Sequence, residues 1–126
     1  FARRLPQLSE RMTAPGREAV ARIVASPATR QLVAAAEDGR IVGLLSVALY
    51  DVPSGRKAWI EDVVVDAAAR GRGIGEALVR EALALARREG VARMMLTSNA
   101  TRRAAHRLYE RMGFVRYETD CFRLDL

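Results

Sequence analysis

Residues 70–75 read Arg-Gly-Arg-Gly-Ile-Gly, between an apolar run at 63–65 and a long Ala/Leu-rich stretch. A helix that begins after such a loop presents free N–H groups and the positive end of its dipole, and both attract anions. Glycine leaves room for a phosphate and tolerates positive φ. A plain glycine-rich turn is the alternative, but it does not account for the two arginines. We therefore expect an anion-binding loop.

Two known phosphate-binding patterns do not match this loop. The Walker pattern requires a lysine after its second glycine, and the only lysine of the chain is Lys57. The dinucleotide pattern requires glycine at position 76, which is Glu76. It also requires a β-α-β unit, whereas the strands before the loop are predicted to be antiparallel. What remains is the pattern Arg70-x-x-Gly73-x-Gly75.

Hydrophobic periodicity and turn residues predict the elements that must position this loop. Asp38-Gly39 lies between two apolar runs and predicts a β-hairpin in 31–51. The other predicted elements are helices at 1–12, 15–27, 74–90 and 101–113, and strands at 57–66, 92–98, 114–118 and 121–126. We therefore expect one mixed α/β domain over residues 1–126, built around a single sheet.

A strand, an Arg-x-x-Gly-x-Gly loop, a helix, a strand and a helix ending in Tyr-Glu-Arg-Met-Gly-Phe follow one another over 31–118. This order resembles the GCN5-related N-acetyltransferase (GNAT) superfamily. The resemblance implies a single mixed, mostly antiparallel sheet with splayed central strands flanked by helices, lacking or trimmed at the first strand. It also implies an N-acetyltransferase that transfers an acetyl group from acetyl-CoA to a primary amine of a small molecule or peptide by direct attack. The alternative is a non-catalytic acyl-CoA-binding module of the same fold.

The resemblance also implies which residues hold acetyl-CoA. The strand backbone would bind the pantetheine arm, and the glycine loop would bind the pyrophosphate. The family often has an asparagine seven residues before the helix tyrosine, where this chain has Arg102, and Asn99 is the candidate replacement. Arginines, Arg103 among them, would surround the phosphates. The implied cofactor-binding residues are Val63, Val65, Arg70, Gly71, Arg72, Gly73, Ile74, Gly75, Asn99 and Arg102.

Two residues are the implied catalytic groups. Tyr109 matches the family's general acid, which protonates the leaving thiolate, although a tyrosine on an amphipathic helix is also a common core residue. Strand alternation predicts Glu61 on the same face as Val63 and Val65, beside the pantetheine, so Glu61 is the candidate general base. The alternative for Glu61 is a binding or structural carboxylate. The N–H of Val63 or Val64 would polarise the thioester carbonyl.

Composition limits the remaining functions. Half of the residues are apolar, and the net charge of +6 fits either an arginine-rich surface or an anionic partner. Nucleic acid is not expected, because no stacking platform or known motif is present. No apolar run reaches the roughly 18 residues of a membrane span. The single cysteine, Cys121, fits a reducing compartment, so we expect a cytoplasmic protein. No metal is expected. A homodimer is also expected, from the resemblance and from an open sheet edge at the C-terminus.

Overall fold

The computed structural model describes residues 16–126. The elements, in chain order, are helix α1 (Arg17–Ala25), strands β1 (Thr29–Ala35), β2 (Ile41–Val52) and β3 (Gly55–Val65), a 3₁₀ turn (Ala67–Ala69), helix α2 (Ile74–Arg88), strand β4 (Met94–Met95) and helix α3 (Arg103–Arg111). This order confirms the predicted elements from α1 to α3. The predicted helix at 1–12 and the missing first strand lie outside the described residues.

The four strands form one sheet in the order β1-β2-β3-β4. Strands β1, β2 and β3 are an antiparallel meander, and β4 runs parallel to β3. The Asp38-Gly39 hairpin is confirmed, with Gly39 at a φ of 87°. Strand β4 pairs with β3 only at Ala58↔Met94 and Trp59↔Met95, after which the two strands separate. The predicted mixed sheet with splayed central strands is therefore confirmed.

The core lies between the sheet and α2. Strand β2 contributes Leu45, Val47 and Leu49, and α2 contributes Leu78, Val79, Ala82 and Ala86. Gly43 lets α2 approach the sheet closely, because a Cβ there would lie 3.0 Å from Ile74 Cγ2 and 3.2 Å from Leu78 Cδ1. This contact fixes the start of α2, and with it the glycine loop, against the sheet.

The two C-terminal strands predicted at 114–118 and 121–126 are wrong for the isolated chain. Residues 114–126 form no strand, and the large apolar side chains of 115–126 are exposed. A strand requires a neighbour to pair with its backbone, and the described chain provides none for this segment. The predicted strand at 92–98 is also shorter than expected, because only Met94–Met95 remain within pairing distance of β3.

No helix within residues 16–126 is both long and apolar enough to span a membrane.

Candidate active site

A cleft of about 770 Å³ opens between the end of β3, the glycine loop and α3. This volume lies within the roughly 300–1,000 Å³ of typical small-molecule sites. Eight of the predicted cofactor-binding residues line it, together with the predicted acid Tyr109: Val63, Val65, Arg70, Gly71, Gly73, Ile74, Gly75 and Arg102. The loop and the tyrosine therefore share one cavity.

The glycine loop has the backbone of an anion site. Gly71 and Gly73 have φ of 83° and 75°, values that favour glycine, and Gly73 is the N-cap of α2. The cap residue is a glycine, so no cap side chain accepts a hydrogen bond from the first N–H groups of α2. A Cβ at Gly73 would meet no described atom within 4 Å, because this position faces open space. A bound anion could therefore approach these N–H groups directly.

Gly75 has a different role, which is to bring three elements together. A Cβ there would lie 3.3 Å from Leu108 Cδ2 of α3 and 3.8 Å from Val65 Cγ2 of β3. The absence of a side chain at this position allows α3 to pack close to the start of α2. Gly75 therefore sets the width of the cleft.

Strand β3 contains a β-bulge next to the cleft. Asp62 has a φ of 50°, the only positive φ of a non-glycine residue in the described chain. The pairing with β2 changes from Ser46↔Glu61 to Leu44↔Val64, so three steps along β3 match two along β2. The bulge inserts one extra residue and reverses the alternation of side chains after it.

The bulge corrects the predicted position of Glu61. Directly paired residues of antiparallel strands share a face, so Glu61 lies on the face of Ser46 and Leu44, together with Val64. Val65 pairs with Gly43 and lies on the opposite face, toward α2. The prediction that Glu61 shares a face with Val63 and Val65 is therefore wrong. No local sequence signal distinguishes a bulge at Asp62 from continuous alternation.

Glu61 is exposed and lies outside the cleft wall. Desolvation raises the pKa of its carboxyl above the ordinary value, and the neighbouring charge of Asp62 raises it further. Burial also raises the pKa of Asp62. Two adjacent carboxyls with raised pKa values are suited to accept a proton, although neither residue lines the cleft.

Tyr109 is buried, with 7% of its surface exposed, and it lies on the cleft wall. Its ring packs edge to face against Phe114, with ring centroids 5.8 Å apart. Its hydroxyl forms no hydrogen bond to a described residue. Burial raises the pKa of the phenol, and the charge of Arg102 opposes this rise. The phenol is therefore protonated at neutral pH and keeps a proton that it can donate.

Three arginines of α3, which we call the arginine stripe, line the same cleft at a spacing of four residues: Arg103, Arg107 and Arg111. This spacing places them on one side of the helix. None of them forms an ion pair with a described carboxylate, in contrast to Arg56 and Arg80 elsewhere on the surface. Sequence reasoning singled out only Arg103, although the four-residue spacing was the signal for the other two.

Two predicted cofactor-binding residues lie elsewhere. Arg72 is exposed and does not line the cleft. Asn99 also lies outside the cleft wall. Its side-chain Oδ1 accepts hydrogen bonds from the Thr101 backbone N–H at 2.9 Å and from Thr101 Oγ1 at 2.8 Å. Asn99 therefore stabilises the turn before α3, and its position does not support a direct pantetheine contact. Residues 16–126 contain no cluster of His, Cys, Asp and Glu that could hold a metal.

A mixed sheet that opens beside a bulged strand, with a helix starting at a glycine loop across the opening, defines a GNAT-type fold. Residues 4–114 match the model of the Acetyltransferase (GNAT) family. This chain therefore belongs to that family, and the resemblance found in the sequence is confirmed.

The chain is similar to several named acetyltransferases. It is 33% identical over 91 residues to mycothiol acetyltransferase of Renibacterium salmoninarum, covering 71% of this chain and 27% of that protein. It is 37% identical over 91 residues to glucosamine 6-phosphate N-acetyltransferase of Trypanosoma brucei brucei, covering 70% and 59%. The crystal structure of a Trypanosoma brucei acetyltransferase superposes with a TM-score of 0.82 at 30% identity, over 99% of this chain and 89% of that chain. The chain thus spans about a quarter and about three fifths of the two relatives' lengths.

Proposed function

We propose that this chain binds acetyl-CoA in the cleft and transfers its acetyl group to a primary amine. One observation carries this proposal: the glycine loop and Tyr109 line the same cavity, beside the part of β3 that has separated from β4. An anion site and a proton donor in one cleft suit a substrate that carries both phosphates and a thioester. Membership of the GNAT family supports the same conclusion.

The cleft would hold the coenzyme by charge and by backbone groups. The pyrophosphate would lie on the N–H groups at the start of α2, where the helix dipole favours negative charge. The arginine stripe would neutralise the remaining phosphate charge, because guanidinium groups bind phosphates in a bidentate manner. Beyond Trp59, β3 pairs with no described strand on its β4 side, so the backbone of Val63 and Val65 is available to the pantetheine arm. The Val65 carbonyl also accepts a hydrogen bond from Arg70 Nε at 3.3 Å, which ties the loop to the strand.

The reaction is an attack of a neutral amine on the thioester carbonyl. The carbon–nitrogen bond forms, the carbon–sulfur bond breaks, and the negative charge passes from the carbonyl oxygen to sulfur. Backbone N–H groups at the bulge, at Val63 or Val64, would stabilise the transient oxyanion. The protonated phenol of Tyr109 would donate its hydrogen to the leaving sulfur.

The amine must lose a proton during this reaction. Glu61 is the candidate base, and its raised pKa favours proton uptake relative to an ordinary glutamate. Because Glu61 lies outside the cleft wall, the proton would pass through a water molecule. A carboxylate that only binds the substrate ammonium is the other role for Glu61, and kinetics distinguish the two roles.

The decisive experiment measures CoA release from acetyl-CoA with a panel of primary amines. The assay should use a Cys121→Ser background, because the exposed thiol of Cys121 would react with the thiol reagent. We expect turnover with at least one amine and a thermal shift with acetyl-CoA alone. A protein that is stabilised by acetyl-CoA but turns over no amine would be a non-catalytic acyl-CoA-binding module. A folded protein that acetyl-CoA does not stabilise would refute both functions.

A further inference from the structure

One face of β3, outside the cleft, carries a cation, an aromatic ring and a carboxylate in a line. Lys57, Trp59 and Glu61 occupy alternate positions of the strand, so their side chains lie on the same face. Ala58 and Ile60 point the other way, into the core that packs against α2. The three residues therefore lie on the side of the sheet away from α2, and we call them the β3 row.

Strand β2 supplies the neighbours of the β3 row. Three of its residues pair directly with the row and share its face: Tyr50 with Lys57, Ala48 with Trp59 and Ser46 with Glu61. Trp59 Nε1 donates a hydrogen bond to Tyr50 Oη at 2.8 Å, so the indole leans toward the Lys57 end of the row. The small side chains of Ala48 and Ser46 occupy little of the space between the indole and Glu61. A ligand can therefore lie beside Glu61 with the indole at its side.

The two charged ends of the row form no ion pair with a residue of 16–126. The neighbouring Arg56, in contrast, pairs with Asp51 at 2.9 Å and with Glu89 at 3.2 Å. The charge that acts on Glu61 is that of Asp62, which has the same sign. At about 3.3 Å per residue, the Cα atoms of Lys57 and Glu61 are about 13 Å apart. An unpaired cation and an unpaired carboxylate at this separation suit a ligand with opposite charges at its two ends.

We propose that the β3 row binds the acceptor, and that the acceptor is a ring-bearing primary amine with a phosphate or carboxylate group on the order of 10 Å from its nitrogen. The amine nitrogen lies beside Glu61, the ring packs on the indole of Trp59, and Lys57 binds the anionic group. This inference rests on the proposed acetyl transfer and extends it to the class of the acceptor.

The order of the row sets the orientation of the acceptor. The N–H groups proposed to stabilise the oxyanion, at Val63 or Val64, follow Glu61 directly across the bulge, so the reacting nitrogen belongs at the Glu61 end. Lys57, at the far end, repels a second ammonium group and attracts an anion, which disfavours a polyamine as the acceptor.

The hydrogen bond between the two aromatic residues prepares the middle of the row for a ring. It holds the indole of Trp59 in a fixed plane, so a ring that packs on it costs little side-chain entropy. The Tyr50 hydroxyl accepts this bond and keeps its own hydrogen, which it can donate to an oxygen of the anionic group next to Lys57.

The first test compares matched amines that differ in the anionic group. Tyramine O-phosphate and tyramine share an aromatic ring, whereas trans-4-(aminomethyl)cyclohexanecarboxylate and its carboxamide share a saturated ring. We expect the anionic member of at least one pair to have a kcat/KM roughly 3- to 10-fold above that of its neutral match. Lys57→Gln should remove this preference. Arg87→Gln is the matched control and should keep it, because Arg87 is an exposed residue of α2, on the other side of the sheet.

The second test changes the ring platform. Trp59→Leu should raise the KM of the preferred amine several-fold with a smaller change in kcat, as expected for a lost binding contact. Trp59→Phe keeps an aromatic ring and should raise KM less than Trp59→Leu does. Both variants should keep the thermal shift with acetyl-CoA, because Trp59 does not line the cleft.

Turnover and the acetyl-CoA thermal shift are measured on the same samples, so acetyl transfer and the acceptor class fail separately. Turnover without a preference for the anionic amines would overturn the acceptor class and leave acetyl transfer intact. A preference that survives Lys57→Gln, or turnover only of primary amines outside both pairs, would do the same. A Trp59→Leu protein with a lowered Tm and unchanged KM values would show that this face packs against protein, and would also overturn the proposal. Absence of turnover with every amine would refute the proposed function and this inference with it.

Discussion

Replacing Gly73 by alanine tests the proposed pyrophosphate site directly. Gly73 is the N-cap of α2 and has a φ of 75°, and a Cβ there would meet no described atom within 4 Å. In the free protein the added methyl group therefore creates no clash, and only backbone strain remains. With acetyl-CoA bound, the same methyl group would lie where we propose the pyrophosphate to be.

The two effects have different magnitudes. A left-handed backbone costs an alanine roughly 1–2 kcal/mol. With about 2.1 cal/mol/K of unfolding entropy per residue over 126 residues, this cost lowers Tm by about 4–8 °C. Acetyl-CoA at 100 times its Kd would stabilise the wild type by about 2.7 kcal/mol, which is about 10 °C on the same scale. A 100-fold loss of affinity would reduce this ligand-dependent shift to less than about 2 °C.

Gly90→Ala is the matched control for this prediction. Gly90 has a φ of 76°, and its Cβ would also meet no described atom within 4 Å, but it lies at the opposite end of α2. Both variants should melt at similarly lowered temperatures without ligand. Only Gly73→Ala should lose the shift caused by acetyl-CoA, measured by differential scanning fluorimetry. Equal ligand shifts in the two folded variants would refute the pyrophosphate site and make the loop a plain turn.

Four further predictions concern the proposed acid, the proposed base, the carboxyl beside that base and the arginine stripe. Tyr109→Phe keeps the ring contact with Phe114 and should keep the acetyl-CoA thermal shift, but it should slow turnover roughly 10- to 1,000-fold; an unchanged kcat would exclude the phenol from the chemistry. Glu61→Gln should lower turnover most at neutral pH and recover partly at high pH, whereas an unchanged kcat with a raised amine KM would make Glu61 a binding carboxylate. With a weakly basic amine that stays neutral, wild-type kcat/KM should fall as pH drops through the raised pKa of Glu61. Asp62→Asn should lower that pKa and so move the acidic limb of the pH profile to lower pH. An acidic limb that does not move would contradict the assignment of Glu61 as the base. Arg107→Ala should raise the Kd of acetyl-CoA about 2- to 5-fold, and less so in high salt; isothermal titration that finds equal Kd values at low salt would remove the arginine stripe from the site.

The elements set by local chemistry were predictable from the sequence. The Asp38-Gly39 hairpin and the helix that begins after Gly73 depend on residues a few positions apart, and the structure has both. The four-residue spacing of the arginine stripe is visible in the sequence. The sequence does not show which side of α3 faces the cleft, so it does not show that these arginines line it. The bulge was not predictable, because the shift from Ser46↔Glu61 is fixed by the pairing of β3 with β2 and not by the residues around Asp62 alone.

Residues 115–126 illustrate a second limit of prediction from the sequence. Their alternation of apolar and polar residues is that of a strand, and the sequence prediction followed this pattern. Alternation defines which face of a segment is apolar, whereas strand formation also requires a backbone partner. The described chain supplies no such partner to residues 115–126, so the pattern is present without the ladder.

The bulge at Asp62 also divides β3 into two surfaces that can change independently. Before the bulge, Trp59 and Glu61 face the side of the sheet away from α2, and after it Val65 faces α2 and the cleft. A substitution at position 59 or 61 therefore alters a surface that takes no part in the cleft wall. In evolution or in engineering, a new amine specificity could be selected at position 59 on that surface, while Glu61 and the coenzyme site are inherited unchanged. Deleting one residue at the bulge would remove this independence, because the side chains on both sides of it would again follow a single alternation.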